Sequence, residues 1–138
     1  MTNDGIPAKL EIVRLNLERL EQLPQATYAE FNADFRNLDS ALHRLQTTIR
    51  ALIDVASFLV SVRGLGVPST SLDSLEKLEA AGLLPPGSAK RFAPIVGFRN
   101  RVVHLYDRID PEIVYRVLTQ NRANLRDLAA LLVQALAN

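Results

Sequence analysis

Cysteine is missing from all 138 residues, which excludes disulfides, thiolate nucleophiles and cysteine-bound zinc or iron–sulfur sites together. Histidine is scarce: His43 and His104 are the only two. They lie on separate segments with no flanking carboxylate at ligand spacing, so no metal site and no cofactor is expected. An excess of charge of one sign is also lacking. Lys and Arg number 16 against 15 Asp and Glu, a formal charge of +1, which carries no global signature of a nucleic-acid partner. The most apolar stretch, "ALIDVASFLVSV", is short for a bilayer and contains Asp54. The opening "MTNDGIPAKL" has neither the basic start nor the apolar centre of a secretory leader. These features predict a soluble, cytoplasmic chain without membrane contact.

What is present is an apolar majority suited to a core. Hydrophobic residues make up 48% of the chain and charged ones 22%, which suits a single domain over residues 1–138. Apolar positions recur at threes and fours and no stretch sustains β-branched alternation, so the expected fold class is all-α, a bundle of four to five helices. The first helix is expected over residues 7–22, with Pro7 at an opening position, Leu10, Val13, Leu17 and Leu20 on one stripe, and Pro24 closing it. A short piece over residues 28–35 leads to a long second helix over 38–62, which the glycines and proline of "RGLGVPS" end. Leu42, Leu45, Ile49, Leu52, Ile53, Ala56, Leu59 and Val60 share one face of it, widened by Val55, Phe58 and Val62. A third helix is expected over 72–81 before Gly82, and a fourth over 88–106. In "RIDPE", Asp110 can cap a fifth with Pro111 at its first position. Val114, Val117, Leu118, Leu125, Leu128, Leu132 and Leu136 then form one narrow stripe.

Within the fourth helix the stretch "GFRNRVVHLY", residues 97–106, breaks the apolar rhythm with an arginine, a histidine and a tyrosine. With Phe92 at the origin of a helical wheel, Ile95 falls near about 300°, Arg99 near about 340° and Val103 near about 20°. Asn100 and His104 come at about 80° and about 120°, and Arg101 at about 180°. Arg99 therefore faces an interior or an interface, Asn100 and His104 line its rim, and Arg101 points outward. Charge is locally uneven too: Lys90, Arg91, Arg99, Arg101 and Arg108 stand against Asp107 alone. Such a run is most often a solvated face, though it also suits a phosphate partner.

Each residue has a plain structural reading. A buried guanidinium is costly unless paired, and Asp54 on the second helix could serve Arg99. Arg50, four residues before Asp54, could equally be its ordinary helical partner. His104 alone would be a rim histidine on a carbonyl, and Tyr106 a core aromatic with a wet hydroxyl. In combination, Arg99 and His104 supply what metal-free RNA cleavage requires: a proton carrier near neutrality and a fixed cation for phosphorane charge. They lie about 140° apart on the wheel, so reach or a second subunit must bring them to one phosphate.

"RNRVVHLY" resembles the arginine, asparagine, three residues, histidine, one residue, tyrosine signature of the HepT-like branch of HEPN (higher eukaryotes and prokaryotes nucleotide-binding) domains. The flanks "SLEKLEAAGLLPPGSAKRFAPIVGFRN" and "DPEIVYRVL", with "ALIDVASFLV" in the second helix, extend the resemblance over nearly the whole chain. The resemblance implies an α-helical HEPN bundle that dimerises with two motifs facing one cleft. It further implies a metal-independent endoribonuclease toxin, paired with a minimal nucleotidyltransferase antitoxin. On that pattern Arg99 would hold the scissile phosphate, and His104 would serve as acid or base at the 2′-hydroxyl or the leaving oxygen. Asn100 would orient substrate or His104, and Arg101 would add RNA contact. Tyr106 would be the tyrosine that the antitoxin modifies with AMP, blocking the cleft with an anionic group. Asp54 matches an acidic position of the second helix that could support the site. The alternatives are a catalytically silent HEPN module that binds a nucleotide or a partner, and a plain bundle in which Arg99 pairs with Asp54.

Overall fold

The computed structural model describes residues 5–105 and 108–138, without the side chains of residues 103–105. The regular elements among the described residues are all helical. α1 (Ile6–Glu21) begins after Gly5, whose φ of 84° is the left-handed conformation that glycine takes without strain, and carries Pro7 in its first turn. α2 (Tyr28–Asn32) is one capped turn: the Thr27 hydroxyl accepts from the Glu30 N–H at 3.1 Å. α3 (Phe35–Val62) starts three residues before the periodicity alone predicts. The reason is Asp34, whose carboxylate accepts from the Arg36 N–H at 2.9 Å and caps the helix. The Arg36 guanidinium and N–H together hold the Asp34 carboxyl down at about 2. Phe35 begins the helix on its solvent side, 74% exposed.

α4 (Ser71–Ala80) is capped by the Thr70 hydroxyl, and its chain reverses at Gly82. α5 (Ser88–Leu105) holds Pro94 on an exposed position. The Pro94 ring removes one backbone donor, and the helix continues past it. Asp110 caps α6 (Pro111–Arg116) by accepting from the Glu112 N–H at 2.9 Å, with Pro111 first in the helix as the sequence predicts. A π-helical turn (Val117–Asn121) then leads into α7 (Arg122–Ala137). The last three segments make one rod, so the principal helices number five, with short α2 as a sixth, among the described residues.

α3 is the axis of the bundle and packs against α1, α4, α5, α6 and α7. Leu42, Leu45, Ile49, Leu52, Val55, Ala56, Leu59 and Val60 are buried along it, while Ile53 and Phe58 are half-buried and Val62 is exposed. Each fully buried leucine or isoleucine there contributes about 1.5–3 kcal/mol through apolar area removed from water. α3 is long and apolar enough to cross a membrane, with a mean hydropathy of 1.4 over its most apolar window. Half of that window is buried by the other helices, which is where its apolar face is used. One contiguous core joins α3 to Val13 and Leu20 of α1, Phe31 of α2, Leu75 and Leu78 of α4, Phe92 of α5 and Leu132 of α7.

The rod formed by α6, the π turn and α7 differs from the single straight stripe read from the sequence. Val114 and Leu118 are buried in its first part, and Leu125, Leu128, Leu132 and Ala135 in its second. Val117 and Leu136 are only half-buried. α6 packs on α2 and α3, whereas α7 packs on α3, α1 and α5. A π turn holds one residue more than the α-helical ladder needs, and here it lies between the two faces.

Candidate functional site

α5 is fixed at its N-terminal end by α4. Glu79 reaches across so that its carboxylate accepts from the Gly87 N–H at 2.9 Å and the Ala89 N–H at 2.8 Å. Those two donors are backbone groups that a helix start leaves unpaired. They also hold the Glu79 carboxyl below its ordinary range, Ala89 more than Gly87. Ser88 donates to the Pro85 carbonyl at 2.6 Å. Arg91 lies over the Phe92 ring, 4.9 Å from its centroid, and pairs with Asp127 of α7.

Phe92, Ile95, Val96, Phe98 and Val102 are buried, so the apolar arc of the wheel is the face that α5 turns inward. Arg99 lies within that arc as the sequence predicts, and its side chain is half-buried. Its Nε is closed off from solvent without a hydrogen-bond partner. Asn100 and Arg101 are exposed, and neither makes a side-chain hydrogen bond among the described residues. His104 belongs to α5, but its side chain lies outside the described residues, as does the whole of Tyr106. The basic run of the sequence divides in three dimensions. Arg91 is neutralised by Asp127, Lys90 lines a cleft with Glu76 and Glu79 without forming an ion pair, and Arg99, Arg101 and Arg108 have no ion-pair partner among the described residues.

Asp54 corrects the sequence reading. Neither Arg99 nor Arg50 is its partner: the carboxylate accepts from Lys9 Nζ of α1 at 3.0 Å, with both side chains more than a third exposed. A lysine 45 residues away thus takes the place of the helical neighbour, because α1 packs along α3 more extensively than any other element. The plain bundle held by an Arg99–Asp54 ion pair is therefore not the arrangement found. No described contact links Asp54 to the motif on α5. Among the described residues no three His, Asp or Glu side chains cluster in a way that could hold a metal ion.

The chain is similar to known proteins over most of its length. Residues 13–132 match the family described as ribonuclease HepT-like. The mRNA nuclease HepT of Shewanella oneidensis is 30% identical over 116 residues, covering 84% of this chain and 86% of that protein. The tRNA nuclease HepT of Aphanizomenon flos-aquae is 29% identical over 114 residues, covering 83% and 78%. The tri-AMPylated Shewanella oneidensis HEPN toxin, solved in complex with its MNT antitoxin, superposes with a TM-score of 0.81 at 26% identity, covering 96% of this chain and 98% of that one. A helical bundle organised around α3, an arginine set into the inward arc of α5, and a match spanning 120 consecutive residues place this chain in the ribonuclease HepT-like family.

Proposed function

We propose that this protein is the ribonuclease toxin of a toxin–antitoxin pair, cutting RNA in the cytoplasm without a metal ion at the α5 motif. The observation that carries the site is the Arg99 Nε, buried and unpartnered on a helix whose other inward positions are apolar. An orphaned N–H of a cation costs folding free energy, and an anionic oxygen that the half-buried guanidinium turns to meet would satisfy it. A scissile phosphate meets that requirement, and its extra negative charge in the phosphorane would be stabilised by the guanidinium's permanent charge. In this reading His104 takes the proton of the attacking 2′-hydroxyl or returns one to the leaving oxygen. Asn100 and Arg101, exposed beside Arg99, meet the substrate. Two chains pair with their motifs facing one RNA path, which accounts for the angle between Arg99 and His104.

The partner in this reading is a nucleotidyltransferase antitoxin that transfers AMP to the Tyr106 hydroxyl. The attached phosphate would repel RNA and obstruct the path. The likeness to an AMPylated toxin in complex with its MNT antitoxin supports that partner. The test is RNA cleavage in chelator by wild type, Arg99→Ala and His104→Ala, with intact mass measured with and without the co-expressed transferase. Chelator-resistant cleavage that needs both residues, and that falls as mass rises in AMP steps, is the expected result. Full activity of both variants would remove the site assignment. No cleavage by unmodified protein would favour the silent binding module.

A further inference from the structure

Beside the π turn a cleft of about 230 Å³ opens, lined by Tyr28, Glu112, Tyr115, Arg116, Thr119 and Gln120. Its aromatic wall is held by ring contacts and a hydrogen bond. The Tyr115 ring lies 5.5 Å from Tyr28, edge to face, and 5.5 Å from the fully buried Phe31. The Tyr115 hydroxyl donates to the Gln25 carbonyl at 2.9 Å, and Arg122 donates to the Gln25 side-chain oxygen at 3.0 Å.

The polar rim is open by contrast. Glu112 and Arg116 stand four residues apart on α6, the order and spacing that favour an ion pair on a helix. Both are exposed, yet neither makes an ion pair or a side-chain hydrogen bond among the described residues. The Tyr28 hydroxyl is likewise unbonded. Burial, then the negative charges of Glu112 and Asp110, push its ionisation up, so it stays a protonated donor.

We propose that this cleft takes one guanine base of single-stranded RNA, stacked on the tyrosine wall and read by Glu112 and Arg116. The inference rests on the RNA-cleaving reading above. The volume suits a single splayed base, and single-stranded RNA is commonly read by stacking such a base on aromatic rings and bonding its edges. Guanine offers two donors, N1–H and the 2-amino group, to one carboxylate, and two acceptors, O6 and N7, to one guanidinium. An unpaired carboxylate and an unpaired guanidinium one turn apart are complementary to that pattern. Adenine would turn its N1 lone pair toward the carboxylate, and pyrimidines offer a smaller stacking face. α6 starts six residues after α5 ends, so the cleft follows the motif directly along the chain. Between residues 108 and 122, Arg108, Arg116 and Arg122 outnumber Asp110 and Glu112, so the surroundings still favour a polyanion.

The test uses full-length protein and uridine-rich hexanucleotides made of 2′-O-methyl RNA, which lack the attacking hydroxyl. One central position is guanine, inosine or adenine, and guanosine monophosphate is titrated separately. The expected result is about tenfold tighter binding of the guanine strand than of the adenine strand. Inosine, without the 2-amino group, should fall between them. Glu112→Gln should erase the guanine preference, and Tyr28→Ala should weaken all three strands by about tenfold. Equal binding of guanine and adenine strands, or a preference that survives Glu112→Gln, overturns the proposal. Glu112-dependent binding of guanosine monophosphate without any preference among strands overturns RNA as the source and assigns the cleft to a free nucleotide. Because these strands cannot be cut, loss of cleavage counts against the ribonuclease reading alone.

Discussion

Arg91 and Arg99 stand eight residues apart on α5, and the bundle treats them in opposite ways. Arg91 is exposed, stacks on Phe92 and has Asp127 as its counter-ion. Arg99 is drawn inward, and its Nε is left with nothing to bond. The same contrast divides the whole helix. Its start is held by Glu79 and Ser88, whereas Asn100 and Arg101 near its end have no side-chain partner among the described residues. A helix stabilised at one end can carry at its other end polar groups that do nothing for folding. Residues whose bonding capacity is unused in the free protein are the ones available to a substrate.

Removing the unused groups should have the largest effect. Arg99→Met is expected to cut RNA cleavage by about 100-fold or more, while the denaturation midpoint holds or rises because a buried orphan is lost. His104→Ala should lower cleavage by about 10²–10⁴-fold. A loss of stability that parallels the loss of cleavage in Arg99→Met would instead make Arg99 a structural residue.

The held end is challenged through Glu79. Its folded carboxyl is depressed below 4.5 by two N–H donors, so its stabilisation is complete above that pH and fades as pH falls through the folded value. Glu79→Gln should therefore melt below wild type at neutral pH, and the two curves should converge as acid protonates the wild-type carboxylate. A gap independent of pH would assign the effect to packing rather than to charge.

Thr48 sharpens the meaning of an orphan. Its hydroxyl on α3 is also buried without a partner, but it lies on the core helix. Thr48→Val should stabilise by about 1 kcal/mol in chemical denaturation and leave cleavage unchanged. The smallest effect belongs to the satisfied arginine's partner: Asp127→Asn should cost about 0.2–1 kcal/mol, as exposed pairs do, with no change in cleavage.

The sequence shows the inward setting of Arg99 because the 3.6-residue period puts it between Ile95 and Val103. The caps at Asp110 and Pro111 and the stop at Gly82 are legible for the same reason: they are local chemistry. Three features were not legible. Asp34 interrupts the chain between α2 and α3 by bonding one backbone N–H, while Phe35 reads as part of the preceding apolar piece. The partner of Asp54 comes from α1, whereas the sequence offers Arg99 and the helical neighbour Arg50. The cleft between Tyr28 and Glu112 draws on residues more than 80 apart in the chain, so no local pattern announces it.

The π turn at Val117–Asn121 makes the length of that rod a functional quantity. Were the same residues wound as an unbroken α-helix, every side chain would stay chemically intact, yet all that follows would be rotated by about 100°. Leu125, Leu128 and Leu132 would leave the core, and Asp127 would lose Arg91. A relative with an unbroken α-helix here should therefore align with this chain only through a single-residue gap.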